Sequence, residues 1–132
     1  MNKLAYKTLN EEWLAAKAQE PDVKALPKGI YYKVVASGDP AGPQPKANSV
    51  VVAHYTGRTI NGKKFDSSLG GAPLACRLRD LFVGWVIAMH QLHVGDKWEL
   101  YIPQEMGYGK YGQPGIPAFS TLIFEIELIG VG

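Results

Sequence analysis

A single cysteine, Cys76, stands among 132 residues, so no disulfide can close within the chain and a cystine framework is excluded. No apolar run approaches the roughly 18 residues that a membrane-crossing helix needs. Basic and acidic residues number 14 and 12 and are interspersed, leaving a formal charge of +2. Without a basic run or an acidic tail, that balance argues against nucleic acid as a partner. The opening MNKLAYKTLNEEW has no apolar stretch of the kind a signal peptide carries. These absences predict a protein of a reduced, cytoplasmic setting, or a periplasmic one if an export signal has been removed. Neither membrane nor nucleic acid is an expected partner.

Standard catalytic equipment is also missing. The sequence holds no GxSxG, no P-loop, no HExxH and no CxxC. Cys76 has no neighbouring motif to activate it and reads as a small buried hydrophobe. His90 and His93 stand three apart, a spacing that can ligate a metal, yet no third ligand accompanies them. Histidines at a helix end also suit the macrodipole, so no metal and no cofactor are expected. His54 lies inside a strand-like stretch and reads as a structural histidine. The carboxylates are scattered, and no pair is placed for acid–base work.

What is present is a chain with ordinary core material, 46% hydrophobic, enough for a domain that needs no staple. In TLNEEWLAAKAQEP, Thr8 and Glu11 have the spacing of a capping box, and Pro21 ends the helix that follows. Leu9, Trp13 and Leu14 would form its sticky face. So short a helix is marginal alone in water and must pack on its own domain or on a partner chain. From Ile30 the period becomes two. Strands are predicted over 30–36, 50–59, 63–66, 97–103 and 121–131. Asn61-Gly62 predicts a type I′ hairpin, and residues 67–73 a loop. One helical period, GWVIAMHQL over 84–92, puts Trp85, Ala88 or Met89, and Leu92 on one face. The pattern predicts an α+β protein, an antiparallel sheet covered by one short central helix.

The remaining chemistry is aromatic and apolar: Tyr55, Phe65, Phe82, Trp85, Tyr108, Phe119 and Phe124, with Ile116 and one acid, Asp66. Tyr108 sits in MGYGKYGQPG, too rich in glycine for a core strand, and is expected at a rim. A long loop followed at once by a core strand suggests a functional loop. An apolar pocket with few polar groups is a binding site by default. It suits only a reaction that needs neither nucleophile nor base.

These residues carry a resemblance. VVAHYTGRTINGKKFDSS resembles the YTG…DG..FDSS core of FKBP-type peptidyl-prolyl cis–trans isomerases. VGW, VGDKWELYIP, YGKYGQPGIP and STLIFEIELI follow in that family's order, so the likeness runs over about residues 26–130. LPKGIYYKVVASGDPAGPQP is similar to the lead-in of bacterial members. The resemblance implies an antiparallel sheet curved around the short helix, with residues 1–25 a helical extension and 26–132 the isomerase domain. It implies rotation of X–Pro bonds in unfolded or flexible proline-containing polypeptides, with macrolide binding at the same pocket. The alternative is a non-catalytic chaperone or peptide-binding module. By correspondence, Trp85 is the floor, and Tyr55, Phe65 and Phe124 are walls. The Phe82 N–H and the Tyr108 hydroxyl are donors, Asp66 contacts substrate or orients Tyr55, and Leu74, Leu81 and Ile116 complete the substrate-binding lining. Phe82 stands where the family usually has Ile or Val, Cys76 where Phe is common, and Phe119 where a polar residue is common. The extension implies a monomer or a weak homodimer through its helix.

Overall fold

A computed structural model describes residues 2–132. Helix α1 (Lys3–Ala18) opens the chain. Seven strands follow, β1 (Val23–Ala25), β2 (Tyr31–Ala36), β3 (Val50–Arg58), β4 (Lys64–Ser67), β5 (Leu74–Arg77), β6 (Lys97–Ile102) and β7 (Leu122–Val131), with helix α2 (Val83–Met89) between β5 and β6. They form one antiparallel sheet in the order β1-β2-β6-β7-β3-β4, and β5 also pairs with β3.

Alternation decides which side chains the sheet turns inward. Trp98, Leu100 and Ile102 of β6 and Leu122, Phe124, Ile126 and Leu128 of β7 are all buried. In register, Leu100 and Gly57 flank Phe124, and Trp98 and Tyr55 flank Ile126. Helix α2 closes this face with Trp85, Ala88 and Met89 buried, and Leu92 follows it into the core. The helix can lie close because residue 84 is glycine: a Cβ there would sit 2.9 Å from Ile102 Cδ1. Ile102 and Leu122 pair directly across β6 and β7, so the long connection 103–121 leaves and re-enters the sheet at neighbouring points.

Several local expectations are corrected. Helix α1 starts at Lys3, capped by Asn2, whose side-chain oxygen accepts from the Ala5 N–H at 2.7 Å. The Thr8–Glu11 pair lies inside the helix and caps nothing, because the residues ahead of it are good helix formers. The inward face runs through half-buried Tyr6, Trp13, Leu14 and Lys17 and buried Asn10, so Trp13 and Leu14 lie on it as expected and Leu9, 42% exposed, does not. That face docks on the chain's own domain. Trp13 meets Tyr101 edge to face at 5.8 Å, and Lys17 Nζ lies 5.4 Å from the same ring. Tyr101 points away from the core strand face, yet it is fully buried under this helix. The hairpin at Asn61-Gly62 is not type I′, since only Gly62 has positive φ. Gly62 N–H donates to Thr59 O and Thr59 N–H to Lys63 O, which makes a three-residue loop with a left-handed glycine. Asn61 instead spends its side-chain oxygen on Thr59 Oγ1 and the Lys63 N–H. Strands β1 and β5 were not expected from the sequence. Cys76, on β5, is only half-buried; burial and then Asp80 raise its thiol pKa.

Candidate active site

The inward residues of β3, β4 and β7 meet the start of α2 at one end of the core. There a cavity of about 190 Å³ is lined by Tyr55, Phe65, Asp66, Leu74, Leu81, Phe82, Trp85, Tyr108 and Phe124. Of the residues to which the resemblance gives a site role, all are in this lining except Ile116. Ile116 is buried and faces a neighbouring cleft with Thr59, Asn61, Lys63 and Gln113. The reason is local: Gln113 and Ile116 exchange backbone hydrogen bonds of 2.9 and 2.8 Å around Pro114-Gly115. That tight turn sets Ile116 at the edge of the neighbouring cleft, while Ile116 still belongs to the buried core cluster with Trp85 and Phe124.

The lining is an aromatic cluster held by edge contacts. Trp85, 3% exposed, packs edge to face on Tyr55 at 5.1 Å and on Phe124 at 5.3 Å. Phe65 meets Phe124 at 5.6 Å, near perpendicular. Phe82 lies 5.6 Å from Phe124, 5.8 Å from Trp85 and 6.3 Å from Tyr108, so its ring spans from the floor to the mouth. Tyr108 is 38% exposed at that mouth. The indole Nε1 of Trp85 is buried and has no hydrogen-bond partner among the described residues. An orphan donor of this kind is uncommon in a folded protein.

The polar groups are few and fixed. The Tyr55 hydroxyl donates to Asp66 Oδ2 at 2.7 Å, and the Ser67 N–H donates to Asp66 Oδ1 at 2.9 Å. Burial first, then the bond to Asp66 and its charge, push the Tyr55 hydroxyl up to about 12. Phe82 occupies the N-cap of α2, and its N–H makes no backbone hydrogen bond among the described residues. Nothing in the cavity is a nucleophile poised beside a base.

The raised Tyr55 value fixes a testable sign. A folded-state pKa above the ordinary 10.0 stabilises the fold fully below pH 10, and that contribution is lost as pH rises through about 12. The Tyr55 ring resonance in an NMR titration is therefore expected to stay constant through pH 10 and to move only near 12. A midpoint at the ordinary value would show that the hydroxyl is neither buried nor bonded to Asp66 in solution.

Each histidine has a polar neighbour. His54 Nδ1 is 2.8 Å from Ser68 Oγ, and His90 Nδ1 is 3.2 Å from Pro45 O. His93 Nδ1 is 3.6 Å from Asp96 Oδ2. Among the described residues no three metal-ligating side chains come together, and no helix is long and apolar enough to cross a membrane. Phe119, expected near the pocket, lies instead in a cleft between α1 and the 103–121 connection. Cys76 is not in the lining either.

A seven-stranded sheet around one short helix, with an aromatic cavity at the helix start, defines a class. A family model for FKBP-type peptidyl-prolyl cis-trans isomerases matches residues 42–129. The chain belongs to that family. FkpA of Escherichia coli (strain K12), an FKBP-type peptidyl-prolyl cis-trans isomerase, is 44% identical over 115 residues, 86% of this chain and 42% of that protein. Outer membrane protein MIP of Legionella longbeachae is 33% identical over 127 residues, 95% of this chain and 54% of that protein. A crystal structure of a peptidyl-prolyl cis-trans isomerase from Pseudomonas syringae pv. tomato str. DC3000 superposes with a TM-score of 0.90 at 36% identity. That superposition covers 100% of this chain and 97% of the other. The chain spans about half the length of the curated relatives it matches.

Proposed function

We propose that this chain accelerates cis–trans rotation of X–Pro peptide bonds in unfolded or flexible polypeptides by binding the twisted amide in its aromatic cavity. The observation that carries the reading is the cavity itself, which is apolar, aromatic and without a nucleophile. Amide rotation has a barrier of about 18–20 kcal/mol that comes from C–N resonance, and no bond has to break. The protein needs only to bind the twisted amide more tightly than the planar one. Twisting reduces the charge separation of the amide, so the twisted form loses less on entering a dry pocket. Fixed donors aimed at the substrate carbonyls add to the preference.

In this reading Trp85 supports the prolyl ring, and Tyr55, Phe65 and Phe124 enclose it with Leu74 and Leu81. The free Phe82 N–H and the Tyr108 hydroxyl donate to substrate carbonyls. Asp66 holds the Tyr55 hydroxyl, a role the 2.7 Å bond supports. The departures at Phe82, Cys76 and Phe119 would favour the non-catalytic alternative if they altered the cavity. Of these only Phe82 reaches the cavity, so that support is weakened. A macrolide that presents a proline-like ring is proposed to compete for the same cavity. The isomerase domain is assigned to residues 26–132, with 1–25 as its helical extension, acting as a monomer or as a weak homodimer through α1. A periplasmic setting is proposed, supported by a relative that bears the name of an outer membrane protein. The cytoplasmic setting inferred from the sequence finds no support among the relatives.

A protease-free assay on a short Xaa-Pro peptide tests the activity. The chain is expected to accelerate isomerisation, with competition by an added macrolide. Tyr108→Phe is expected to lower kcat/KM roughly tenfold, the worth of one hydrogen bond of about 1–1.5 kcal/mol. No acceleration by the unaltered chain would sink the proposal.

A further inference from the structure

We infer that Tyr6 and Asn10 of α1 are positioning residues for the active site, acting through the 103–121 connection on Tyr108; the inference rests on the isomerase reading above. The connection carries Tyr108 in its first half and is crossed by one long-range bond, from the Phe119 N–H to Gly109 O at 2.9 Å. The residue next to Tyr108 is thus tied to the far end of the same segment. That far end is unusual. Phe119 has φ +66°, one of two non-glycine residues in the left-handed region among those described. Side chains with a Cβ persist there only where the surroundings hold them.

The surroundings here are supplied by α1. Ser120 and Thr121, the two residues after Phe119, are each 2% exposed beneath the helix. The Thr121 N–H donates to Asn10 Oδ1 at 2.8 Å. Asn10 is itself 1% exposed, and its Nδ2 donates to Tyr6 O at 2.8 Å, which orients the amide. Ser120 Oγ donates its proton to Pro117 O at 2.7 Å. The 3.0 Å contact between Tyr6 and Ser120 hydroxyls therefore has Tyr6 as donor. Lys7 Nζ lies over the Phe119 ring, 5.7 Å from its centroid. Three successive residues, 119 to 121, are each held from one face of α1. Without those contacts Phe119 has less reason to keep its conformation, and the bond to Gly109 that steadies Tyr108 goes with it.

A helix that merely added stability would alter folding and leave the folded enzyme's kinetics alone. A helix that positions Tyr108 has a different signature, so Asn10→Leu and Tyr6→Phe are made in the full chain, with and without Tyr108→Phe. In the otherwise unaltered chain each is expected to lower kcat/KM on a short Xaa-Pro peptide by about threefold to tenfold, up to the whole effect of the Tyr108 hydroxyl. Combined with Tyr108→Phe, each is expected to cause no further loss. Hydrogen exchange at the Phe119 amide is expected to quicken in both variants. Equal losses in the two backgrounds, or unaltered rates in both, overturn the inference. Should Asn10→Leu fail to fold, Tyr6→Phe decides alone by the same comparison. If Tyr108→Phe has no effect on an active enzyme, the inference falls while the isomerase reading stands. If the unaltered chain does not catalyse, the isomerase reading itself falls.

Discussion

Trp85→Leu is expected to lower kcat/KM for a short Xaa-Pro peptide by about 100-fold, or about 2.7 kcal/mol of transition-state stabilisation. The size follows from what the indole does. It is almost fully buried, and it holds Tyr55 and Phe124 by edge contacts while meeting Phe82 at 5.8 Å. Aromatic pairs of this geometry contribute about 0.5–1.5 kcal/mol each beyond their buried area. Leucine removes three of them together with the flat surface proposed to support the prolyl ring. Alanine would cost about 3–5 kcal/mol in the core, so leucine, which keeps part of the volume, is the informative change. Circular dichroism and thermal melting establish the folded fraction against which the rate is normalised. A folded variant retaining a third of the activity would remove Trp85 from the role of floor.

Gly57→Ala is the second large effect, and it separates stability from activity. A Cβ at residue 57 would lie 2.6 Å from Phe65 Cζ and 2.7 Å from Phe124 Cε1. Those atoms belong to packed rings, and carbon atoms prefer about 3.5–4.0 Å. The backbone there does not need glycine for its φ; only the space does. Overpacking of this kind costs about 1–3 kcal/mol, and the two walls of the cavity must part to relieve it. Melting temperature and kcat/KM are therefore expected to fall together, the latter about tenfold. Adding Phe65→Leu is expected to recover much of the stability, because the nearest ring is gone, but not the activity. Recovery of both would mean that Phe65 is not a wall of the working site.

The sequence discloses the cavity far better than the surface around it. Strong alternation in β3, β6 and β7 fixes which residues point inward, and the helical period of α2 brings Trp85 to meet them. The misses have physical causes. Strands β1 and β5 are three and four residues long, too short to show a period. Ile116 lies within a turn of its own, and no local pattern announces where such a turn aims a side chain. Tyr101 alternates as an outward residue and is buried only because α1 covers it. The face of α1 that docks carries Trp13 and Leu14 as expected, but also Tyr6, Asn10 and Lys17, and a search for apolar residues adds the exposed Leu9 and passes over those three. Phe119 is grouped by residue type with the aromatic cavity, but with its left-handed backbone it lies against the helix.

The direct pairing of Ile102 with Leu122 has an evolutionary consequence. A segment that starts and ends on adjacent rungs can be lengthened, shortened or exchanged with little disturbance to the sheet, since closure entropy rises by only about 0.6 kcal/mol per doubling of length. Residues 103–121 are therefore the natural place for relatives on this scaffold to diverge in which prolines they accept. The freedom is unequal along the segment. Its exposed turn tip at residues 113–115 has room for insertion, whereas Ser120 and Thr121 are held by α1 and are expected to change in step with Tyr6 and Asn10. Paired substitutions at those four positions across the family would be the historical trace of that constraint.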